Sequence, residues 1–310
     1  MQIVRDLTKF HIADASAVAI GKFDGIHKGH RLLLSKIKEA KKQGLCSVVF
    51  TFNPPPSVYF GWEQKQLTTL DEKEAIFEQA GVDYLVEYPF HKASADMLPE
   101  VFVKEILVDA LHAKLVVSGE DVSFGRQGMG DAALLSKLAE QYAFEVCFVR
   151  KICLFGNEIS SSLIRNTVEQ GAMEYAAEML GDAFSITGTV EHGNHIGRTI
   201  GFPTMNVKPD AGKLLPPNGV YVTRILCDGI WYRGITNLGQ KPTIGAGYDV
   251  VAETFLYGFA GDAYGKRITV SFLHFVRPER KFDSFEELKA AIDADVQKGK
   301  AYFAFEESRL

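Results

Sequence analysis

The apolar residues of this chain follow one rhythm in its first half and another in its second. Val18-Ala19-Ile20 is a continuous apolar run, and Leu32 to Lys42 then carries Leu33, Leu34, Ile37 and Ala40 at helical spacing with lysines between them. Ser47 to Phe52 is a second apolar run. The alternation goes on with a helix over 71–80, a strand over 83–88, a helix over 99–111, a strand over 114–118, a helix over 132–142, a strand over 145–149 and a helix running through Val168. Buried strands alternating with helices predict a parallel sheet covered on both faces. From Phe184 the pattern changes to short strands over 185–190, 219–226, 231–236, 251–256 and 266–275, separated by Gly and Pro turns. Closely spaced strands of this kind predict a small antiparallel barrel. A last helix over 285–298 carries Leu288, Ile292, Asp295 and Val296 near helical spacing and is expected to pack on that barrel. The change of rhythm near 181–184 divides the chain into domains 1–182 and 183–310.

Composition narrows the class without changing this picture. With 310 residues, of which 46% are hydrophobic and 24% charged, the chain is long enough for two cores. A formal net charge of -5, with scattered basic residues, argues against nucleic acid or a membrane surface as partner. No stretch has the length and apolarity of a membrane span, and no N-terminal segment joins a basic flank to a long apolar run. The four cysteines, Cys46, Cys147, Cys153 and Cys227, show no C-x-x-C spacing; free thiols in a reducing cytoplasm are expected.

Chemistry concentrates in five stretches. After the first apolar run, Gly21-Lys22-Phe23-Asp24-Gly25-Ile26-His27-Lys28-Gly29-His30 joins a glycine-rich turn to the start of a helix. A strand, a glycine turn and a helix N-terminus make an anion site, because unpaired N–H groups and the positive end of the helix dipole converge there. His27 and His30, three residues apart, would share a face of the first turn and reach one phosphate. A zinc half-site or two ordinary surface histidines remain open alternatives. The glycine spacing fits neither a Walker A loop nor the dinucleotide fingerprint.

The second run exits through Asn53-Pro54-Pro55-Pro56, which holds the chain extended and fixes Asn53 near the strand tip. The strand ending at Ser118 leads into Gly119-Glu120-Asp121-Val122-Ser123-Phe124-Gly125-Arg126, a turn rich in glycine and acid. Ser160-Ser161-Ser162, with Arg165 one turn on, is either an N-cap or a phosphate site of hydroxyls, N–H groups and a guanidinium. In the second half, Gly197-Arg198-Thr199-Ile200-Gly201-Phe202-Pro203-Thr204-Met205-Asn206 reads as a loop, either a capped barrel corner or a site where Thr204 and Asn206 offer oxygens to a magnesium ion. Glu253 lies within the apolar run Val251–Leu256; alternation alone would turn it outward.

The run Gly-x-Phe-Asp-Gly-x-His-x-Gly-His resembles the FAD synthetase branch of the HxGH nucleotidyltransferases. Ile159 to Arg165 is similar to that family's Ile-Ser-Ser-Thr-x-Ile-Arg, with Ser162 in place of threonine, and 119–125 to its Gly-Glu/Asp-Asp-Phe-x-Phe-Gly, with Val122 in place of the first aromatic. Pro55 stands where the family has a histidine. Gly201-Phe202-Pro203-Thr204-Met205-Asn206 resembles the riboflavin kinase signature, and Glu253 falls at that family's catalytic glutamate, with Phe255 where a histidine follows. Further matches at Asn237 to Thr243, Asp262 to Lys266 and Arg277 to Ser284 extend the likeness to bifunctional bacterial riboflavin kinase and FAD synthetases over nearly the whole chain.

The resemblance implies a Rossmann-like α/β nucleotidyltransferase domain followed by a β-barrel kinase domain with a C-terminal helix. It implies ATP as co-substrate, riboflavin, FMN and FAD as substrates or products, and Mg2+. Gly21, Phe23, Asp24, Gly25, His27 and His30 are then expected to hold the ATP triphosphate with Ser160, Ser161, Ser162 and Arg165, while Asn53, Asp121 and Phe124 shape the nucleotide and flavin site. Gly197, Gly201, Pro203, Thr204 and Asn206 are expected around ATP and magnesium in the kinase domain, with Arg277 as a further contact and Glu253 as the base. The competing expectations are an FAD synthetase with a weak or inactive kinase domain, and a flavin-binding regulatory module without turnover. Oligomeric state is left open.

Overall fold

The computed structural model describes residues 1–62, 65–192, 201–242 and 248–308, and the chain divides into two compact units, Met1–Ser161 and Ser162–Leu310. In the first unit, strands β1 (Gln2–Arg5), β2 (Ser16–Ile20), β3 (Cys46–Asn53), β4 (Tyr84–Pro89), β5 (Ala113–Gly119) and β6 (Glu145–Val149) form one sheet in the order β1-β4-β3-β2-β5-β6. All neighbouring pairs run parallel, as predicted, and a separate antiparallel pair, β7 (Cys153–Leu154) with β8 (Asn157–Glu158), follows β6. The helices between them are α1 (Lys28–Ala40), α2 (Pro56–Tyr59), α3 (Leu70–Gln79), α4 (Lys92–Ala95), α5 (Pro99–Val101) and α6 (Ala132–Tyr142).

The strands read as unbroken apolar runs because both faces of the sheet are covered. Ala17, Ala19, Val49, Leu85 and Val117 pack with Leu33, Leu34 and Ile37 of α1 and Phe77 of α3. Their neighbours Val18, Val48, Phe50, Val86 and Val116 point the other way, onto Phe102, Val103, Ile106 and Leu107 and onto Leu135 and Leu138 of α6. The predicted helix over 99–111 differs in kind: α5 gives way to a π-helix over Phe102–Ala110, and Leu111 donates its N–H to the carbonyl of Ile106, five residues back.

Chain order places the chemistry. From β2 the chain moves to β3 and β4 on one side, then crosses to β5 on the other, so β2 and β5 flank the point where the winding reverses. In open parallel sheets a crevice for ligands forms beyond the carboxyl ends of the strands at such a point.

The second unit contains α7 (Ser161–Glu169, its first residue shared with the first unit), α8 (Met173–Leu180) and a closed antiparallel barrel. Its strands are β9 (Ser185–Glu191), β10 (Thr204–Pro209), β11 (Gly219–Cys227), β12 (Ile230–Pro242), β13 (Tyr248–Leu256) and β14 (Arg267–Pro278), in the order β10-β13-β12-β11-β14-β9. A C-terminal helix, Phe285–Glu307, covers one side through Val296 and Phe303, which meet Val220, Val222 and Ile235. On the opposite faces of these strands Thr223, Thr236 and Thr254 are fully buried, and their hydroxyls form a ladder across β11, β12 and β13 with steps of 2.8 and 3.0 Å.

Thr204 and Asn206, expected in a loop, lie on β10, where Met205 and Val207 alternate with them and are buried. Gly and Pro just before this segment masked a six-residue strand.

Candidate active sites

The turn after β2 is built from the inside outward. Phe23 is fully buried and adopts a φ of 49°; its ring lies 5.4 Å from that of Phe77 on α3 and 5.1 Å from that of His30. Asp24 secures the turn from two directions. Its carboxylate accepts the N–H groups of Leu67 (2.9 Å) and Thr68 (3.3 Å), and its carbonyl accepts the Ser161 hydroxyl at 2.7 Å. Gly25, with a φ of 81° that disfavours other residues, donates its N–H to the Thr68 hydroxyl at 3.0 Å.

His27 caps α1: its backbone is extended, and its Nδ1 accepts the N–H of His30 at 3.4 Å. The two imidazoles stack, 3.8 Å apart and inclined by 20°. Gly29 makes room for this, since a Cβ there would stand 3.1 Å from the His27 ring. Burial lowers the His27 pKa to about 4. Burial first, then His27 and Lys73, hold His30 well below the ordinary imidazole range. Both rings are therefore neutral near pH 7. With Nδ1 of His27 accepting, its proton sits on Nε2 and makes that atom a donor. Nδ1 of His30 is buried and has no partner among the described residues. The zinc alternative finds no support, because no group of three or more His, Cys, Asp or Glu side chains suited to a metal occurs among the described residues.

The other expected residues come later in the chain, at or beyond the ends of strands. Asn53 ends β3, where its carbonyl accepts the N–H of Phe90, and Pro55 precedes α2. Asp121, after β5, is exposed and sits 3.4 Å from Lys151. Phe124 in the same loop is turned into the core, its ring 5.7 Å from Phe102. Ser160 is exposed, Ser161 ties the start of α7 to Asp24, and on α7 Ser162 is exposed and Arg165 half-buried. Sequence reasoning missed Thr68 and the start of α3. Thr69 and Glu72 form a capping box whose spacing is legible, but nothing in it announces contact with residues forty positions earlier.

In the barrel, register assembles the second group. Glu253 on β13 lies directly opposite Asn206 on β10 and Asn237 on β12, and Thr204 lies opposite Phe255. Directly opposed residues have Cβ atoms roughly 5 Å apart. Along β13, Ala252, Thr254 and Leu256 are buried while Glu253 and Phe255 are half-buried, so Glu253 faces away from the barrel interior, as alternation predicted. That face is sheltered: Phe255 and Tyr257 pack against the apolar cluster under the C-terminal helix. Hydroxyl, amide and carboxylate oxygens gathered on one face are the hard donors that suit magnesium.

A neighbouring cavity is lined by Pro203, Thr204, Met205, Phe255 and Tyr264, the last stacked on His192 at 3.9 Å; Asn206 and Glu253 do not line it. Arg277 commits its guanidinium to the carboxylate of Asp295 through bonds of 2.7 to 3.1 Å, and Asp295 is only 3% exposed. Gly201, exposed, has a φ of 90°, and Gly197 lies outside the described residues.

Comparison with known proteins matches these two regions to two family models, FAD synthetase over residues 9–163 and riboflavin kinase over residues 180–303. Curated relatives named bifunctional riboflavin kinase/FMN adenylyltransferase include one from Haemophilus influenzae, 35% identical and aligned over 98% of this chain and 99% of its own. Another from Listeria monocytogenes is 36% identical over 93% of this chain and 92% of its own, and one from Escherichia coli is 34% identical over 98% of each. A solved structure described as a macrolide-efflux protein from Streptococcus pneumoniae shares the fold, with a TM-score of 0.84 and 29% identity over 96% of this chain and 98% of that one. Among the described residues of this chain no helix is long and apolar enough to cross a membrane. With both family models matched in order and relatives aligned almost end to end, the chain belongs to the bifunctional riboflavin kinase/FMN adenylyltransferase family.

Proposed function

We propose that this chain makes FAD from riboflavin in two steps, with 183–310 phosphorylating riboflavin to FMN and 1–182 adenylylating FMN, each with ATP. The observation that carries the assignment is the contrast between two neutral histidines at a helix N-terminus and a carboxylate set between two asparagines on the barrel.

In adenylyl transfer the attacking group is the FMN phosphate, largely dianionic at neutral pH because its second pKa is about 6. No base is needed. The site has to bring two anions together and hold the charge that develops as pyrophosphate leaves. Neutral His27 and His30 donate N–H groups without competing as bases, the α1 N-terminus adds backbone donors, and Arg165 supplies a cation. Gly21, Phe23, Asp24 and Gly25 shape this turn; Ser160, Ser161 and Ser162 add hydroxyls; Asn53 and Asp121 bound the site, and Phe124, packed in the core, anchors the loop that carries Asp121.

In the kinase step a riboflavin hydroxyl attacks the γ-phosphorus of ATP and displaces ADP. An alcohol is a poor nucleophile at neutral pH, so Glu253 takes its proton, and Asn206 opposite keeps the carboxylate in place. Thr204 and Asn206 would hold a magnesium ion, which neutralises phosphate charge when bound. Gly197, Gly201 and Pro203 form the loop over ATP, and Arg277 acts through its hold on the C-terminal helix. The four free cysteines fit a reducing cytoplasm.

The test is to incubate the protein with ATP and magnesium and either riboflavin or FMN, then separate the flavins. FMN and FAD from riboflavin, and FAD from FMN, are expected. Phe255, which lines the cavity beside Thr204 where relatives of the kinase motif carry histidine, favours a second reading with a weak kinase; FAD formed from FMN alone would select it. Stoichiometric flavin binding with no product would overturn both.

A further inference from the structure

The adenylyl site as described leaves one buried charge unused. Lys73 lies on α3, one helical turn before Phe77, and is only 5% exposed. The two residues share a face of the helix. Phe77 meets Phe23, and Phe23 meets His30, so this face of α3 is turned to the back of the histidine pair. The start of the same segment is fastened to the motif turn through Thr68 and Asp24.

A buried lysine is costly unless it is paired or used. Among the described residues its ammonium makes neither a hydrogen bond nor an ion pair. It interacts electrostatically with Asp24, Glu87 and His30, while burial acts most strongly on it and lowers its pKa. Glu87 is the natural structural partner, yet Glu87 binds Arg5 at 2.6 Å through Oε2, and its Oε1 is buried with no partner. A lysine present only to neutralise Glu87 would bond that oxygen. Nδ1 of His30 is left unbonded in the same way.

We propose that Lys73 is a further substrate-contacting residue of the adenylyl site, whose ammonium binds the phosphate chain of ATP and the pyrophosphate that leaves. The inference rests on the placement of adenylyl transfer at the His27–His30 turn. In that role a point charge complements the neutral imidazole donors: the rings orient the phosphates, and Lys73 draws off charge as the bond to pyrophosphate breaks.

The test uses the full chain, with inorganic pyrophosphate as probe and riboflavin phosphorylation by the same preparation as the control for folding. Lys73→Met should raise the KM for ATP in FAD formation and weaken pyrophosphate inhibition, each by about 10- to 100-fold, as expected for a lost bond to a charged group. Lys73→Arg should recover part of both, with the kinase rate unchanged. Unaltered ATP and pyrophosphate constants in Lys73→Met would overturn the proposal. So would their full recovery on adding Glu87→Gln, which restores charge balance without restoring a phosphate contact. If Lys73→Met does not fold, Lys73→Gln carries the same comparison. His30→Ala separates the two levels: FAD formation intact in that variant removes the site itself, whereas its loss beside a normal Lys73→Met removes only the lysine.

Discussion

The two candidate sites are built from opposite materials. At the end of the parallel sheet His27 and His30 stand on a glycine turn and the first turn of α1, shielded enough to keep both imidazoles uncharged. On the barrel, an acidic residue in mid-strand is flanked by asparagines on both neighbouring strands. In the proposed reactions the difference tracks the attacker: a phosphate arrives charged, an alcohol does not.

The strongest way to break this comparison is Glu253→Ala. Loss of a positioned base should cut riboflavin phosphorylation by about 10²- to 10⁴-fold, with FMN to FAD conversion retained, both read by flavin chromatography. Next, His30→Ala should lower adenylyl transfer by roughly 10²-fold or more, in line with removing one donor to developing charge, and leave the kinase rate alone. Equal damage to both activities from either change, in folded protein, would mean that the sites are not separate.

Arg277 sharpens the kinase side. Arg277→Ala and Asp295→Ala should each destabilise the barrel unit by about 3 kcal/mol, because each strands a buried charge, and Arg277→Met with Asp295→Leu should recover most of the loss in thermal denaturation. A large change in the kinase KM for ATP in Asp295→Ala, with stability unaltered, would show that the pair serves the nucleotide.

Two smaller effects bear on the histidines. Gly29→Ala, by pressing on the His27 ring, should slow FAD formation by about tenfold. For pH, His27 is lowered from 6.5 unfolded to about 4 folded. Between those values the unfolded chain binds more protons, so stability is highest above pH 6.5 and falls as the pH drops toward 4. Thermal scans of His27→Gln over that range should show a shallower loss than the parent protein.

Much of this was legible before any coordinates. The buried strands of the sheet announce themselves as unbroken apolar runs, and the glycine turn with its histidines stands out as a candidate site. The kinase group was legible in part. Alternation put Glu253 on the outer face, which is correct, but whether an outer face meets water depends on what covers it, and the covering helix lies some forty residues away in sequence. Asn237 could be paired with Glu253 only through strand register. Lys73 was silent for a similar reason: a lysine among Asp71, Glu72 and Glu74 reads as a solvated helix face, and only tertiary packing buries it.

The threonine ladder inside the barrel bears on that register. Side chains alternate across a strand, so sliding β13 by one residue would carry Glu253 into the apolar interior and expel Thr254 from it. Such a slip would leave the hydroxyl of Thr236 short of its neighbour at the least accessible point of the unit, where an unmade hydrogen bond is most costly. Three small side chains of the barrel interior thus keep the acidic residue behind them on the outer face, much as a ratchet tooth fixes the dial it is never seen to touch.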